Sequence, residues 1–374
     1  MTSEFKKYAV NKLSKFLRSK DIDETSFYEF KSHLRRKFDE TKDKEFINIC
    51  EEKILRVDQR IKFGSTSPLL KIKDGKPVKV YFRQYQSPGD ILTLTAGIRD
   101  LKKAYPNVQI CMETSVREIW ENNPYITEFS KDDADLNLKL DYPLVNSSND
   151  SAKHFIHGFK EDIENKLGVS YDITKFSCDL HLSEKEMSWI NQVEEKFGYK
   201  GKFWLINAGS KSDFPLKQWD PQRWQEVVNR LKDKITFVQV GSTEHTHKPL
   251  DGVLSLLGET DMRQLIRLSY HCEGALSHVS MLLHMMSAWG KPCVCVAGGR
   301  ESAAWESYND TIYLDTVGQL MCCLHGACWK SKEKDCPNME GDYPKCMNLI
   351  SVDDVVNSVE RYYKGGRLSY EGMG

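Results

Sequence analysis

From residue 78 onward, short apolar runs alternate with longer amphipathic stretches, and this rhythm restricts the fold more than any other feature of the chain. KVYF, VQICMET, LNLKLDYPLV, FWLINAG, ITFVQVG, GALSH and PCVCVAGG read as strands. Between them ILTLTAGIRDLKKAY, VREIWENN, WDPQRWQEVVNRLKD, DMRQLIRLSY and VSMLLHMMSAWG read as helices. Buried strands separated by helices build parallel sheets covered on both faces. Two such series flank SEKEMSWINQVEEKFGYKG, which reads as a connecting helix. The chain is therefore expected to form two Rossmann-like domains, with a ligand cleft between the carboxyl ends of their sheets.

The first 65 or so residues lack strand signals; FKKYAVNKLSKFL, SFYEFKSHLRRKF and EFINICEEKILRVDQRI each carry apolar residues at helical spacing. GSTSPLL reads as a linker, and SVDDVVNSVERYYKGG as a last helix with a serine cap, early acids and a glycine stop. The expected units are a helical extension (1–68), a first α/β domain (69–183), a second (184–350) that includes a cysteine-rich segment (322–346), and a C-terminal helix and tail (351–374). With 374 residues, 40% of them hydrophobic, there is enough material for two cores. The 53 basic and 54 acidic residues leave a formal charge of −1, so no global field draws the chain to nucleic acid or membrane. MTSEFKKYAVNKLSKFL has no signal-peptide pattern, and no stretch approaches the roughly 20 apolar residues of a membrane span, so a cytoplasmic protein is expected. A local basic excess interleaved with aromatics, in FKKYAVNKLSKFLRSK and KSHLRRKF, fits either contact with acceptor phosphates or a solvated or homo-oligomer face.

Where would chemistry reside? The chain has neither a G-x-G-x-x-G fingerprint nor a phosphate-binding G-x-x-x-x-G-K-[ST] loop, which argues against dehydrogenase and kinase readings. QSPGD, residues 86 to 90, joins a strand to a helix. Asp90 there can cap the helix, or it can act as a base, because such turns face the ligand crevice. NAGSKSDFPLKQW places Ser210 and Lys217 between a strand and a helix, where a diphosphate finds backbone donors and a cation. Lys217 can equally be a solvated loop lysine beside Trp219. In AGGRE, Gly298 and Gly299 allow close backbone approach and Arg300 suits an anion. Glu244 stands where an acid can take a ribose diol, or at the surface; His284 lies on an otherwise apolar helix, as a core residue or a site residue.

Taken together, these elements resemble the glycosyltransferases of family nine, whose best-known members are ADP-heptose:lipopolysaccharide heptosyltransferases. The resemblance spans residues 78 to 320 and rests on the G-D turn with its helix, ENNPYI, LKQWDP, and LLHMMSAWGKPCVCVAGG, in that order. It implies a GT-B fold in which the second domain holds a nucleotide-sugar donor and the first an acceptor. Asp90 then matches the catalytic base of an inverting displacement, Lys217 the lysine at the donor diphosphate, and Glu244 the acid at the ribose. Ser210, Ser280, His284, Gly298, Gly299 and Arg300 complete the donor-binding set, and no catalytic metal is expected. The acceptor can be a glycan, a protein or modified DNA. The sequence departs from the family's D-S-G-P-x-H pattern: Val279 replaces the acid and Met281 the glycine, while Ser280 and His284 remain. A nucleotide sugar other than ADP-heptose is therefore open, as are a non-catalytic nucleotide-sugar-binding scaffold and a sugar-nucleotide epimerase.

Five cysteines crowd the segment CCLHGACWKSKEKDCPNMEGDYPKC. Cys323, Cys328, Cys336 and Cys346, with Cys322 in reserve, suit a structural zinc or iron site, although the spacing lacks C-x-x-C pairs and buried free thiols are the alternative. Cysteine-ligated iron near the C-terminus occurs in autotransporter heptosyltransferases of the same family.

Overall fold

The computed structural model describes residues 2–19, 22–63, 68–141, 152–210, 215–328, 336–364 and 367–368. Helices α1 (Ser3–Arg18), α2 (Glu24–Phe38) and α3 (Lys44–Phe63) form the N-terminal extension. They bury Leu13, Phe27, Leu34, Ile54 and Val57 against one another as a separate core. Some of its basic residues are met within the bundle: Lys6 by Asp43, Lys31 by Asp58 at 2.5 Å, and Arg35 by Glu51 at 3.1 Å. The expected linker is partly helical, since α4 spans Pro68–Lys73; residues 64–67 lie outside the described residues.

The first α/β domain follows with β1 (Val78–Gln84), α5 (Pro88–Ala104), β2 (Val108–Thr114), β3 (Leu136–Lys139) and α6 (Phe155–Leu167). Its three strands are parallel in the order β2-β1-β3. Helix α5 is buried from Ile91 through Leu101, because it is covered by the sheet, by α6 and by the second domain. Its polar residues are all satisfied. Thr93 and Thr95 bond back to the carbonyls of Gly89 and Leu92, while Arg99 holds Asp100 at 2.8 Å and the Ser177 carbonyl at 3.0 Å. Two expectations change here. VREIWENN makes only a 3-10 turn, Arg117–Trp120, and the strand in LNLKLDYPLV is confined to β3, with residues 142–150 outside the described residues. Helix α6 was absent from the strand-and-helix pattern, although Phe155, Phe159, Ile163 and Leu167 recur every four residues between the His154 and Gly168 caps.

Short helices α7 (Glu184–Ser188) and α8 (Gln192–Phe197) replace the single connecting helix. The second domain then runs β4 (Phe203–Asn207), α9 (Pro221–Leu231), β5 (Thr236–Gln239), β6 (Leu254–Ser255), α10 (Met262–His271), β7 (Gly274–His278), α11 (Met281–Trp289), β8 (Cys293–Gly298), α12 (Ala303–Glu306) and β9 (Thr311–Asp315). Six parallel strands are ordered β6-β5-β4-β7-β8-β9. The order reverses direction at β4 and β7, which leaves a crevice above their carboxyl ends. Chain-terminal helices α13 (Lys345–Asn348) and α14 (Val352–Tyr362) pack on this domain. Val355, Val356 and Val359 join the core of Trp219 and Trp224, so the described part of the last unit belongs to the second domain rather than forming a separate tail. Among the described residues, no helix is long and apolar enough to cross a membrane.

The halves meet across α5 and α11, at Cys178, whose N–H donates to Ser287 Oγ at 3.2 Å, and through Arg263. Arg263 of α10 places Nε 2.6 Å from Glu186 Oε1 and donates to the carbonyls of Glu118 and His181 at 3.0 and 2.8 Å. The guanidinium holds the Glu186 carboxyl down at about 2, against the cost of its burial. A depressed folded pKa makes this contribution complete above the ordinary glutamate value of about 4.3 and progressively lost as pH falls toward 2. Its size is on the order of 3 kcal/mol. Glu186→Gln is expected to flatten the dependence of Tm on pH between about 5 and 2; an unchanged acid limb would show that Arg263 does not carry the acid sensitivity.

Candidate active site

A cleft of about 670 Å³ lies between the halves, lined by the segments that follow the carboxyl ends of β1, β4, β5, β6, β7 and β8. From the first domain it receives Gln86 through Asp90. Asp90 is the third residue of α5 and is half-buried; its Oδ2 accepts the Ser87 N–H at 3.1 Å, closing a capping box with Ser87. The same carboxylate lines the cleft. The two sequence readings are thus not exclusive: the cap fixes the position from which a base would act. Gly89 sits close beside it: a Cβ there would lie 3.0 Å from the His284 ring, which would have to give by a few tenths of an ångström, and in ordinary contact with Met281 Cα at 3.8 Å.

From the second domain, Ser210, Lys217, Ser280 and His284 reach the same cleft. Lys217 ends a 3-10 turn, Pro215–Lys217, and its Nζ lies 2.8 Å from Glu301 Oε1. Burial disfavours its charge, but Glu301 and Glu306 outweigh burial and hold the ammonium above its usual range. The loop carrying Lys217 is fixed by His278, whose Nε2 accepts the Trp219 N–H at 3.1 Å and whose Nδ1 lies 3.2 Å from the Gly209 carbonyl. Those partners set the tautomer, Nδ1–H donating and Nε2 accepting. Burial pushes the His278 imidazole down to about 3, so it stays neutral and keeps both bonds. Ser280 caps α11 by accepting the Leu282 N–H at 3.3 Å. His284 Nδ1 sits 2.8 Å from the Tyr308 hydroxyl and 3.4 Å from that of Thr93, and burial likewise pushes its imidazole down to about 3.

Two carboxyls unnoticed in the sequence complete the floor. Glu301 and Glu306 both line the cleft and are 3% and 7% exposed. Burial, then the Glu301 and Asp90 charges, push the Glu306 carboxyl well above its usual range, against the pull of Lys217. Its Oε2 is 3.7 Å from His284 Nε2. Glu301 stands next to AGGR, so the signal was adjacent; Glu306 on the short helix α12 had none.

Three of the expected donor residues lie elsewhere, and a fourth only borders the cleft. Gly298 and Gly299 do not line it. Gly298 has φ +65°, and a Cβ on it would collide with Met347; a Cβ on Gly299 would lie 3.0 Å from Cys323 Sγ. Their openness to close approach serves the cysteine-rich segment, which folds back onto β8. Arg300 is 2% exposed and is not part of the lining. Glu244 is exposed between Thr243 and His245, which do line the cleft.

The cysteines gather near Gly299, with Cys323 and Cys346 buried and Cys322, Cys328 and Cys336 half-buried. Cys323 Sγ points to the Thr316 carbonyl at 3.5 Å, Cys336 Sγ is 3.6 Å from the Asn338 carbonyl, and burial pushes the Cys328 thiol up to about 12. Among the described residues no three His, Cys, Asp or Glu side chains form a ligand set, and residues 329–335, between Cys328 and Cys336, lie outside them.

The sequence matches the family model described as glycosyltransferase family 9 (heptosyltransferase) over residues 145–338. No curated protein matches the chain. Among solved structures, a glycosyltransferase family 9 protein from Veillonella parvula is 16% identical, with 76% of this chain and 97% of that chain covered and a TM-score of 0.57. The iron-containing dodecameric glycosyltransferase TibC from enterotoxigenic E. coli is 15% identical, with 76% and 78% covered and a TM-score of 0.56. E. coli heptosyltransferase WaaC with ADP is 12% identical, with 76% and 99% covered and a TM-score of 0.53. At such identities the likeness is one of fold, and that fold is GT-B.

Proposed function

This chain belongs to glycosyltransferase family 9, and we propose that it moves a sugar from a nucleotide-sugar donor held by the second domain to an acceptor hydroxyl held by the first. The observation that carries this reading is that Asp90 and Lys217, from different domains, line one cleft at the carboxyl ends of both sheets. Asp90 takes the proton from the acceptor hydroxyl as its oxygen attacks the anomeric carbon. The bond from that carbon to the diphosphate breaks on the opposite face, its electron pair leaves with the diphosphate, and the anomeric configuration inverts. Lys217 and the N-terminal end of α11 meet the negative charge that develops there. His278 keeps the Lys217 loop in place without adding charge.

ADP is present in the WaaC structure, and ADP-heptose is the first donor to try here. Val279 and Met281 line the cleft where the family pattern has an acid and a glycine, so the contacts to the sugar differ from that pattern and other nucleotide sugars belong in the same screen. We expect one of ADP-heptose, ADP-glucose, UDP-glucose and GDP-mannose to raise Tm in a thermal-shift titration. At about a hundredfold excess over Kd the stabilisation is about 2.7 kcal/mol, and Lys217→Ala removes it. If none of the four shifts Tm, the donor-site reading fails. Conversion of a donor with no acceptor present points instead to an epimerase on the same scaffold.

A further inference from the structure

Glu301 has one carboxylate oxygen occupied and one unoccupied. It lines the cleft at 3% exposure, with Oε1 2.8 Å from Lys217 Nζ. Oε2 is buried and has no hydrogen-bond partner among the described residues. A buried carboxylate oxygen left without a donor carries a desolvation penalty, and in native proteins such groups are nearly always satisfied. A ligand hydroxyl would satisfy it. The opposite feature stands at the mouth of α11, where Val279 and Met281 present no carboxylate to a sugar. Of the two acids on the cleft floor, Glu301 is the one paired with the Lys217 ammonium.

We propose that Glu301 reads the donor sugar: Oε2 accepts a ring hydroxyl of the sugar being transferred, while Oε1 stays paired with Lys217. This rests on the nucleotide-sugar reading above and adds the residue that recognises the sugar. Two opposed effects follow. The carboxylate attracts the sugar hydroxyl but repels the diphosphate and neutralises part of the Lys217 charge. Removing Glu301 therefore weakens the sugar nucleotide and leaves the bare nucleoside diphosphate unchanged or tighter.

Calorimetric titration of the wild-type protein, Glu301→Gln and Glu301→Ala with ADP and ADP-heptose, UDP and UDP-glucose, and GDP and GDP-mannose separates these effects. For the nucleotide that binds, we expect Glu301→Ala to cost the sugar conjugate about tenfold or more in Kd, with no loss for the diphosphate alone. Glu301→Gln, which keeps an acceptor oxygen without the charge, falls between; it also carries the test if the alanine variant does not fold. Parallel changes for conjugate and diphosphate overturn the proposal, as does equal wild-type affinity for the two, since nothing would then be reading the sugar. Failure of every diphosphate and conjugate to bind the wild-type protein removes the donor site itself, a result distinct from either.

Discussion

Asp90→Asn lowers kcat for sugar transfer by about 10²–10⁴-fold while donor affinity and Tm stay close to wild type. The substitution separates the two duties of this side chain. Asp90 Oδ2 accepts the Ser87 N–H at the start of α5, and an asparagine carbonyl oxygen can accept the same bond. Helix α5 is further anchored by its buried length and by the Arg99 contacts, so its position does not depend on the charge of residue 90. Only the ability to take a proton is lost. Asp90→Ala removes the cap as well and is expected to cost about 0.5–2 kcal/mol of stability in addition to the rate. Wild-type turnover in Asp90→Asn would return this carboxylate to being a helix cap and would favour the non-catalytic scaffold over the transferase.

The second large effect is at Lys217. Lys217→Ala reduces kcat/KM by about 10²–10³-fold, because the charge on the leaving diphosphate loses its cation. Stability falls too, and for a separate reason. Without the ammonium, the Glu301 carboxylate is left beside Glu306 with its counter-charge gone, at a cost of order 1–3 kcal/mol once the partial exposure of the lysine is allowed for. The double variant Lys217→Ala/Glu301→Gln removes the stranded charge and is expected to regain much of the lost Tm without regaining activity. Measuring both quantities keeps the roles apart: a variant that loses Tm but retains kcat/KM would make Lys217 a structural counter-ion and move the diphosphate elsewhere in the cleft.

The α/β rhythm gave both parallel sheets; the position of QSPGD and NAGSKSDFPLKQW after strands left Asp90 open as cap or base and Lys217 as solvated lysine or diphosphate ligand, and the family resemblance supplied their expected roles. These features are legible because burial period, capping and turn chemistry act over a few residues. AGGR misled for an instructive reason. Paired glycines announce that something approaches the backbone closely, but they do not say what; here it is Met347 and Cys323. Helix α6 was legible in its four-residue spacing and was lost among neighbouring polar residues.

The sequence by itself therefore determined the class of fold and its alternating α/β plan, and it placed Asp90 and Lys217 at strand ends, where the family resemblance gives them roles. Only the tertiary structure decided that one carboxylate both caps α5 and faces the cleft, that Glu301 and Glu306 surround Lys217, that the glycines after β8 serve the cysteine segment, and that α14 completes the second core. The physical reason is range. Periodicity and capping are set by neighbours along the chain, whereas the charges that meet in the cleft are brought together by strand order and by α5 packing on α11, which no local pattern records.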